Sequence, residues 1–118
     1  MKESILKTKS YDFALKIISV YKSISSKHKE YTLSRQLLRS GTSIGANIRE
    51  AEFAQSNKDF ISKMSIALKE ANETEYWISL LKDSNYLDSE TSKTLIFANK
   101  ELIKMLVSTI NTMKSKSK

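Results

Sequence analysis

Two acidic residues, Glu70 and Glu73, have a spacing that could support chemistry. Three positions apart on a predicted helix, they share one face, where a pair of carboxylates is a conceivable metal site. Basic residues nearby favour ion pairs there instead. The single histidine, His28, lies in a predicted turn, and the chain has no cysteine. No Glu-x-x-His motif and no nucleophile with a neighbouring base is present. We therefore expect a protein that is not an enzyme and that uses no metal and no cofactor.

Basic residues form the second group with a possible chemistry. The chain of 118 residues has 20 Lys and Arg against 13 Asp and Glu, a formal net charge of +7. This surplus favours a polyanionic partner such as RNA or DNA. The alternative is a set of solvated faces that keep the protein soluble. No aromatic residues interleave with the lysines, so no stacking platform for single strands is predicted. The candidate phosphate contacts occupy one flank of the first predicted helix and one flank of the last: Lys9, Lys16, Lys27, Lys93, Lys100 and Lys104.

All three arginines, Arg35, Arg39 and Arg49, fall in one sector of the second predicted helix. A guanidinium binds a carboxylate in bidentate geometry, so we favour pairing with the third helix, within the chain or between subunits. Phosphate contact by these arginines is the alternative. The matching stripe on the third helix consists of Ile66, Glu70, Glu73, Trp77 and Leu80.

Gly41 and Gly45 stand inside the second predicted helix, where each glycine costs roughly 1 kcal/mol relative to Ala. Four positions apart, they lie on one side of the helix. The spacing predicts that a neighbouring helix or subunit approaches closely there. A phosphate-binding loop is disfavoured, because no strand precedes the glycines and no suitably spaced lysine follows them.

The elements that position these residues are four helices. Apolar residues recur at helical spacing over about 9–26, 32–54, 57–83 and 88–113, followed by a basic tail at 114–118 that we expect to fray. Short polar connections favour antiparallel neighbours, so the prediction is one domain over 1–118, an all-α up-down-up-down four-helix bundle. The N-terminus shows no signal peptide and no apolar run is long enough to span a membrane, so we expect a cytoplasmic protein.

Two predicted helices are more apolar than a small monomeric bundle requires. The additional residues lie off the main apolar stripe, which favours a second packing surface and hence a homo-oligomer over a wide internal core. They are Ile18, Tyr21, Ile66, Trp77 and Leu80.

The middle of the chain carries a specific signature. Residues 36–48 read QLLRSGTSIGANI, and Glu50-Ala51 follows. This pattern closely resembles the four helix bundle protein family, also called the 23S ribosomal RNA intervening-sequence protein family. The further matching segments are Ser10-Tyr11-Asp12-Phe13-Ala14, Asp59-Phe60-Ile61, Lys69-Glu70-Ala71, Glu73-Thr74 and Tyr76-Trp77.

The resemblance implies a left-handed antiparallel bundle that assembles into a ring-like homopentamer. It also implies a link to RNA, because the family is named after genes inside intervening sequences of ribosomal RNA genes. A related accessory protein of diversity-generating retroelements shares the fold and binds a reverse transcriptase and nucleic acid. A protein partner such as a reverse transcriptase is therefore a further expectation.

Two functions remain open at this point. The first is a non-enzymatic homo-oligomer that binds RNA or DNA through lysine–phosphate contacts with low sequence specificity. The alternative is a scaffold or adaptor for a nucleic-acid enzyme, in which the basic charge serves solubility alone.

Overall fold

A computed structural model describes residues 2–116, with side chains from residue 5 onward. It contains four helices, α1 (Lys2–His28), α2 (Thr32–Ala51), α3 (Asn57–Asp83) and α4 (Ser89–Lys116). No strand occurs in this part of the chain. The predicted all-α, four-helix fold is thereby confirmed. None of these helices combines the length and apolar character needed to cross a membrane.

Each helix packs against the next one in the chain, and α4 also packs against α1, which closes the bundle. Ser10 and Ile17 of α1 lie against Gly45 and Gly41 of α2, so the two helices run in opposite directions. The connections at 29–31, 52–56 and 84–88 are too short to cross the 49 Å length of the molecule. Successive helices are therefore antiparallel.

The core lies along the axis of the bundle, and each helix contributes one apolar stripe. Leu6, Phe13 and Ile17 of α1 are almost completely buried, at the spacing that places them on one helical face. A single apolar cluster connects all four helices. The other fully buried large apolar side chains are Leu37, Ile44, Met64, Ile78, Leu81, Leu95, Leu102 and Leu106.

Three helix ends differ from their predicted positions by three residues or more. Helix α1 begins at Lys2 rather than near Lys9, because Leu6 is buried and extends the apolar stripe by two turns. Helix α2 ends at Ala51 rather than Ala54. The next three N–H groups bond to carbonyls three residues back and form a tighter turn. Helix α4 continues to Lys116, and the last two residues of the basic tail lie outside the described residues.

Side-chain oxygens cap three of the helices. The Ser56 hydroxyl accepts the Asp59 N–H at 3.0 Å, and Asp88 accepts the Thr91 N–H at 2.9 Å. At α2, the carboxylate of Glu30 accepts the N–H groups of Thr32, Leu33 and Ser34. Burial opposes ionisation of Glu30, yet these three bonds outweigh it and lower its pKa.

One polar side chain lies at the contact between α3 and α4. Asn99 is fully buried, and its Nδ2 donates to the carbonyl of Ala71 at 2.8 Å. Its Oδ1 has no protein partner among the described residues. A buried amide of this kind fixes one arrangement of two helices, because sliding would remove its acceptor.

Candidate nucleic-acid interface

The side of the bundle formed by α1 and α4 carries most of the positive charge. These two helices hold eleven lysines and four acidic residues, whereas α2 and α3 hold seven basic and six acidic residues. We call this side the α1/α4 face. The predicted phosphate contacts Lys9, Lys16, Lys27, Lys93, Lys100 and Lys104 all lie on these two helices and are all exposed.

The six lysines differ in their surroundings. Lys9 pairs with Glu101 across the two helices at 3.4 Å, with both side chains nearly half exposed. Lys16 lines a groove between α1 and the start of α4 with Glu90 and Thr94. Among the described residues, Lys9 is the sole member of the set in an ion pair. The other five ammonium groups are available to an anion.

The structure corrects one expectation about this face. Phe97 lies among the lysines of α4, four residues after Lys93, three before Lys100 and seven before Lys104. Steps of four, three and four place these residues on one side of the helix. The Phe97 side chain is 70% exposed. An aromatic residue therefore does interleave with the basic stripe, and its helical spacing was the signal that the sequence reading missed.

On the opposite pair of helices, one group of charged residues connects α2 to α3. The Arg39 guanidinium on α2 donates to Glu70 at 3.3 Å and also to Glu73 on α3. The indole N–H of Trp77 donates to the same Glu73 carboxylate at 3.0 Å. The indole bond is the largest influence that lowers the Glu73 pKa; burial opposes it and Arg39 adds to it. The Glu73 carboxylate in turn raises the pKa of Arg39. We call these four residues the Arg39 cluster.

Arg35 and Arg49 do not join this cluster. Both are exposed on α2, and neither takes part in an ion pair within the described residues. The three arginines of this sector therefore differ, since one guanidinium binds α3 and the other two form no ion pair within the described residues. Arg49 lines a groove between α1 and α2 together with Lys7 and Tyr11.

Gly41 and Gly45 mark the closest approach of α1 to α2. A Cβ atom at Gly41 would lie 2.8 Å from Cγ1 of Ile17, and one at Gly45 would lie 3.3 Å from Oγ of Ser10. The first distance is shorter than a van der Waals contact. Only glycine fits at position 41 without a shift of Ile17.

The additional apolar residues predicted from sequence lie outside the buried core of the chain. Ile66 is 39% exposed, and Ile18, Tyr21, Trp77 and Leu80 are half-buried. Other large apolar side chains are more exposed, and the sequence reading did not select them for this surface. Among them are Tyr11, Leu15, Phe53 and Tyr76.

The two carboxylates considered as a candidate metal site are both paired with Arg39. Glu70 and Glu73 both accept hydrogen bonds from Arg39. Elsewhere in the described chain, no three His, Cys, Asp or Glu residues lie close enough to hold a metal ion. His28 ends α1 and packs edge-to-face on Tyr86, with ring centroids 5.4 Å apart.

Comparison with known proteins identifies relatives of the same architecture. The family model of the 23S rRNA-intervening sequence protein matches residues 2–108. A crystal structure from Bacteroides thetaiotaomicron, described as a protein of unknown function from the S23 ribosomal protein family, is 51% identical and superposes with a TM-score of 0.93. The match covers 94% of this chain and 99% of the other. No curated protein matches the sequence. The chain belongs to the 23S rRNA-intervening sequence protein family.

Proposed function

We propose that this protein is a non-enzymatic homo-oligomer that binds RNA or DNA through the lysines of its α1/α4 face. Binding would depend on phosphates and show little sequence preference, because a lysine ammonium is a point charge that carries no base-specific pattern. The observation that carries the proposal is the unequal distribution of charge. Helices α1 and α4 hold eleven lysines against four acidic residues, whereas α2 and α3 hold seven basic and six acidic residues. Five of the six selected lysines have no ion pair within the described residues.

Exposed apolar residues support the oligomeric part of the proposal. Tyr11 and Leu15 are 61% and 51% exposed on α1, and Tyr76 is 59% exposed on α3. Two different apolar faces on one molecule suit a head-to-tail interface, and such an interface generates a ring when the rotation closes. A pentamer agrees with the family resemblance. We expect light scattering to give about five times 13.5 kDa, and a monomer at micromolar concentration would contradict this part.

A matched pair of variants tests the nucleic-acid part. Lys93, Lys100 and Lys104 of α4 would be replaced together by Gln. The control replaces three exposed lysines of α3, Lys58, Lys69 and Lys82, and so removes the same charge. We expect the α4 variant to bind labelled RNA more weakly, with a salt dependence reduced by roughly 0.7 per lost contact on single strands and 0.9 on duplex DNA. The α3 variant should bind nearly as the wild type does.

Two results would reject this function. If both triple variants weakened binding equally, the effect would come from net charge and not from the α1/α4 face. If both variants bound nucleic acid as the wild type does and kept the wild-type mass in light scattering, the role of the lysines would be solubility. The second result would support the alternative, an adaptor for a nucleic-acid enzyme, in which the exposed apolar residues contact a protein partner.

A further inference from the structure

Phe97 is the most exposed large apolar residue among the described residues of α1 and α4. Its side chain is 70% exposed, although α4 buries the neighbouring positions Leu95 and Asn99 almost completely. An aromatic side chain on the outer surface contributes little to the core. A ring in that position is instead available for contact with something outside the bundle.

The surroundings of the ring indicate the chemistry of its ligand. Lys93, Lys100 and Lys104 share its side of the helix, and all three are exposed. Residues three and four apart on a helix have Cβ atoms about 5–6 Å apart, and the lysine stems are long and flexible. The ammonium groups can therefore reach anions on both sides of a flat group resting on the ring.

A surface groove lies beside the ring. Phe97, Lys100, Glu101, Lys104 and Met105 line it, so the groove combines apolar surface with positive charge. The one carboxylate in the groove belongs to Glu101, which is paired with Lys9. Its negative charge is therefore compensated, and the groove favours a ligand that combines anionic groups with a planar apolar surface.

We propose that Phe97 is a stacking site for an unpaired base, and that the α1/α4 face prefers single-stranded nucleic acid over a duplex. Bases in a duplex are stacked on each other and cannot reach a side chain on a convex helix, whereas a single strand exposes both phosphates and base faces. This inference rests on the proposed function, since it names the form of nucleic acid that the same lysines would bind.

The test uses the full chain and two probes, a labelled oligouridine strand and an RNA duplex of equal length. Phe97→Ala should weaken binding of the single strand roughly five- to tenfold, at the lower end of the measured range for loss of one stacked base. Binding of the duplex and the salt dependence should change little. The control, Phe53→Ala, removes a ring of similar exposure that lies in the connection between α2 and α3.

Substitutions at the same position separate stacking from a general apolar contact. Phe97→Trp keeps a ring and should retain single-strand binding, whereas Phe97→Leu keeps an apolar side chain without a ring and should not. A 2-aminopurine base in the strand should lose fluorescence on binding the wild type and keep it on binding Phe97→Leu. Recovery of full affinity by Phe97→Leu would overturn the proposal, and so would a lower mass of Phe97→Ala, which would assign the ring to a subunit contact.

The outcome also distinguishes the two proposals from each other. If the α4 lysine variant loses binding to both probes while Phe97→Ala binds both as the wild type does, the stacking site is wrong and the nucleic-acid function stands. If the wild-type protein binds neither probe, the function itself is wrong, and the stacking site fails with it.

Discussion

The α2/α3 pair and the α1/α4 pair are both built from long amphipathic helices, yet their polar residues make different contacts. Between α2 and α3, charged and hydroxyl groups connect the helices to each other. The Arg39 cluster spans them, and the hydroxyls of Ser40 and Thr74 lie 2.9 Å apart in the buried contact. Between α1 and α4, the ion pair of Lys9 with Glu101 is long and exposed, and the other five lysines of the set are exposed as well.

This difference separates the stabilising side of the molecule from the side available to a partner. A carboxylate such as that of Glu70, with only 15% of its side chain exposed, needs a cation nearby, so Arg39 contributes to folding. An exposed lysine contributes little to stability, and its charge remains free for other contacts. Substitutions on the two sides should therefore affect different measurements, unfolding on one and binding on the other.

The largest expected effect lies at the contact between α1 and α2, which joins the two sides. Gly41→Leu should lower the free energy of unfolding by about 3 kcal/mol, because even a Cβ atom there meets Ile17 at 2.8 Å. Urea unfolding measures this. Gly45→Ala serves as the control, since its Cβ would meet Ser10 at 3.3 Å and the change should stay within about 1 kcal/mol of the wild type. A tolerated Gly41→Leu would show that the helices can separate there.

A smaller effect should follow from opening the Arg39 cluster. Arg39→Gln leaves Glu70 and Glu73 without their cation and should lower the free energy of unfolding by about 1 kcal/mol, a modest value because half of the arginine side chain is exposed. Lys100→Gln removes the same charge from the α1/α4 face and should change unfolding by less than about 0.5 kcal/mol. Equal losses in urea unfolding of the two variants would contradict the division between the two sides.

The smallest effect concerns pH. The pKa of Glu73 is lowered below its ordinary value of 4.5 in the folded protein, by the indole of Trp77 and by Arg39 against the opposing effect of burial. The ionised carboxylate of Glu73 therefore stabilises the fold at any pH above its ordinary pKa. This contribution is lost as the pH falls through the lower pKa that Glu73 has in the folded protein. The difference in unfolding free energy between the wild type and Glu73→Gln should be constant near neutral pH and decrease below about pH 4.5.

A second variant makes the pH prediction specific to the cluster. In the Arg39→Gln background, Glu73→Gln should have a smaller effect at neutral pH, because part of the interaction has already been removed. Urea unfolding of the four proteins at neutral and acidic pH measures this coupling. Full additivity at neutral pH would mean that the two side chains do not interact in solution.

The sequence was sufficient for the fold and insufficient for much of the surface. Apolar periodicity identified the four helices, since each stripe repeats over several turns. The start of α1 was missed because Leu6 alone, seven residues before Phe13, carries the signal there. Phe97 was missed because apolar periodicity selects the residues of the buried stripe of α4, and Phe97 lies on the exposed side of that helix. Periodicity also could not select Arg39 from the three arginines, since that depends on how α2 and α3 are rotated against each other.

The buried amide of Asn99 has a consequence for the outer surface. Its bond to the carbonyl of Ala71 fixes how far α4 is shifted along α3. A shift by one turn would move every residue of α4 by about 5.4 Å along the bundle. Asn99 thus fixes the position of Phe97 and the lysines along the bundle axis, so a core residue determines where these surface groups are placed. An apolar residue of similar size in its place would leave the core filled, but it would remove the hydrogen bond that fixes the position of α4 along α3.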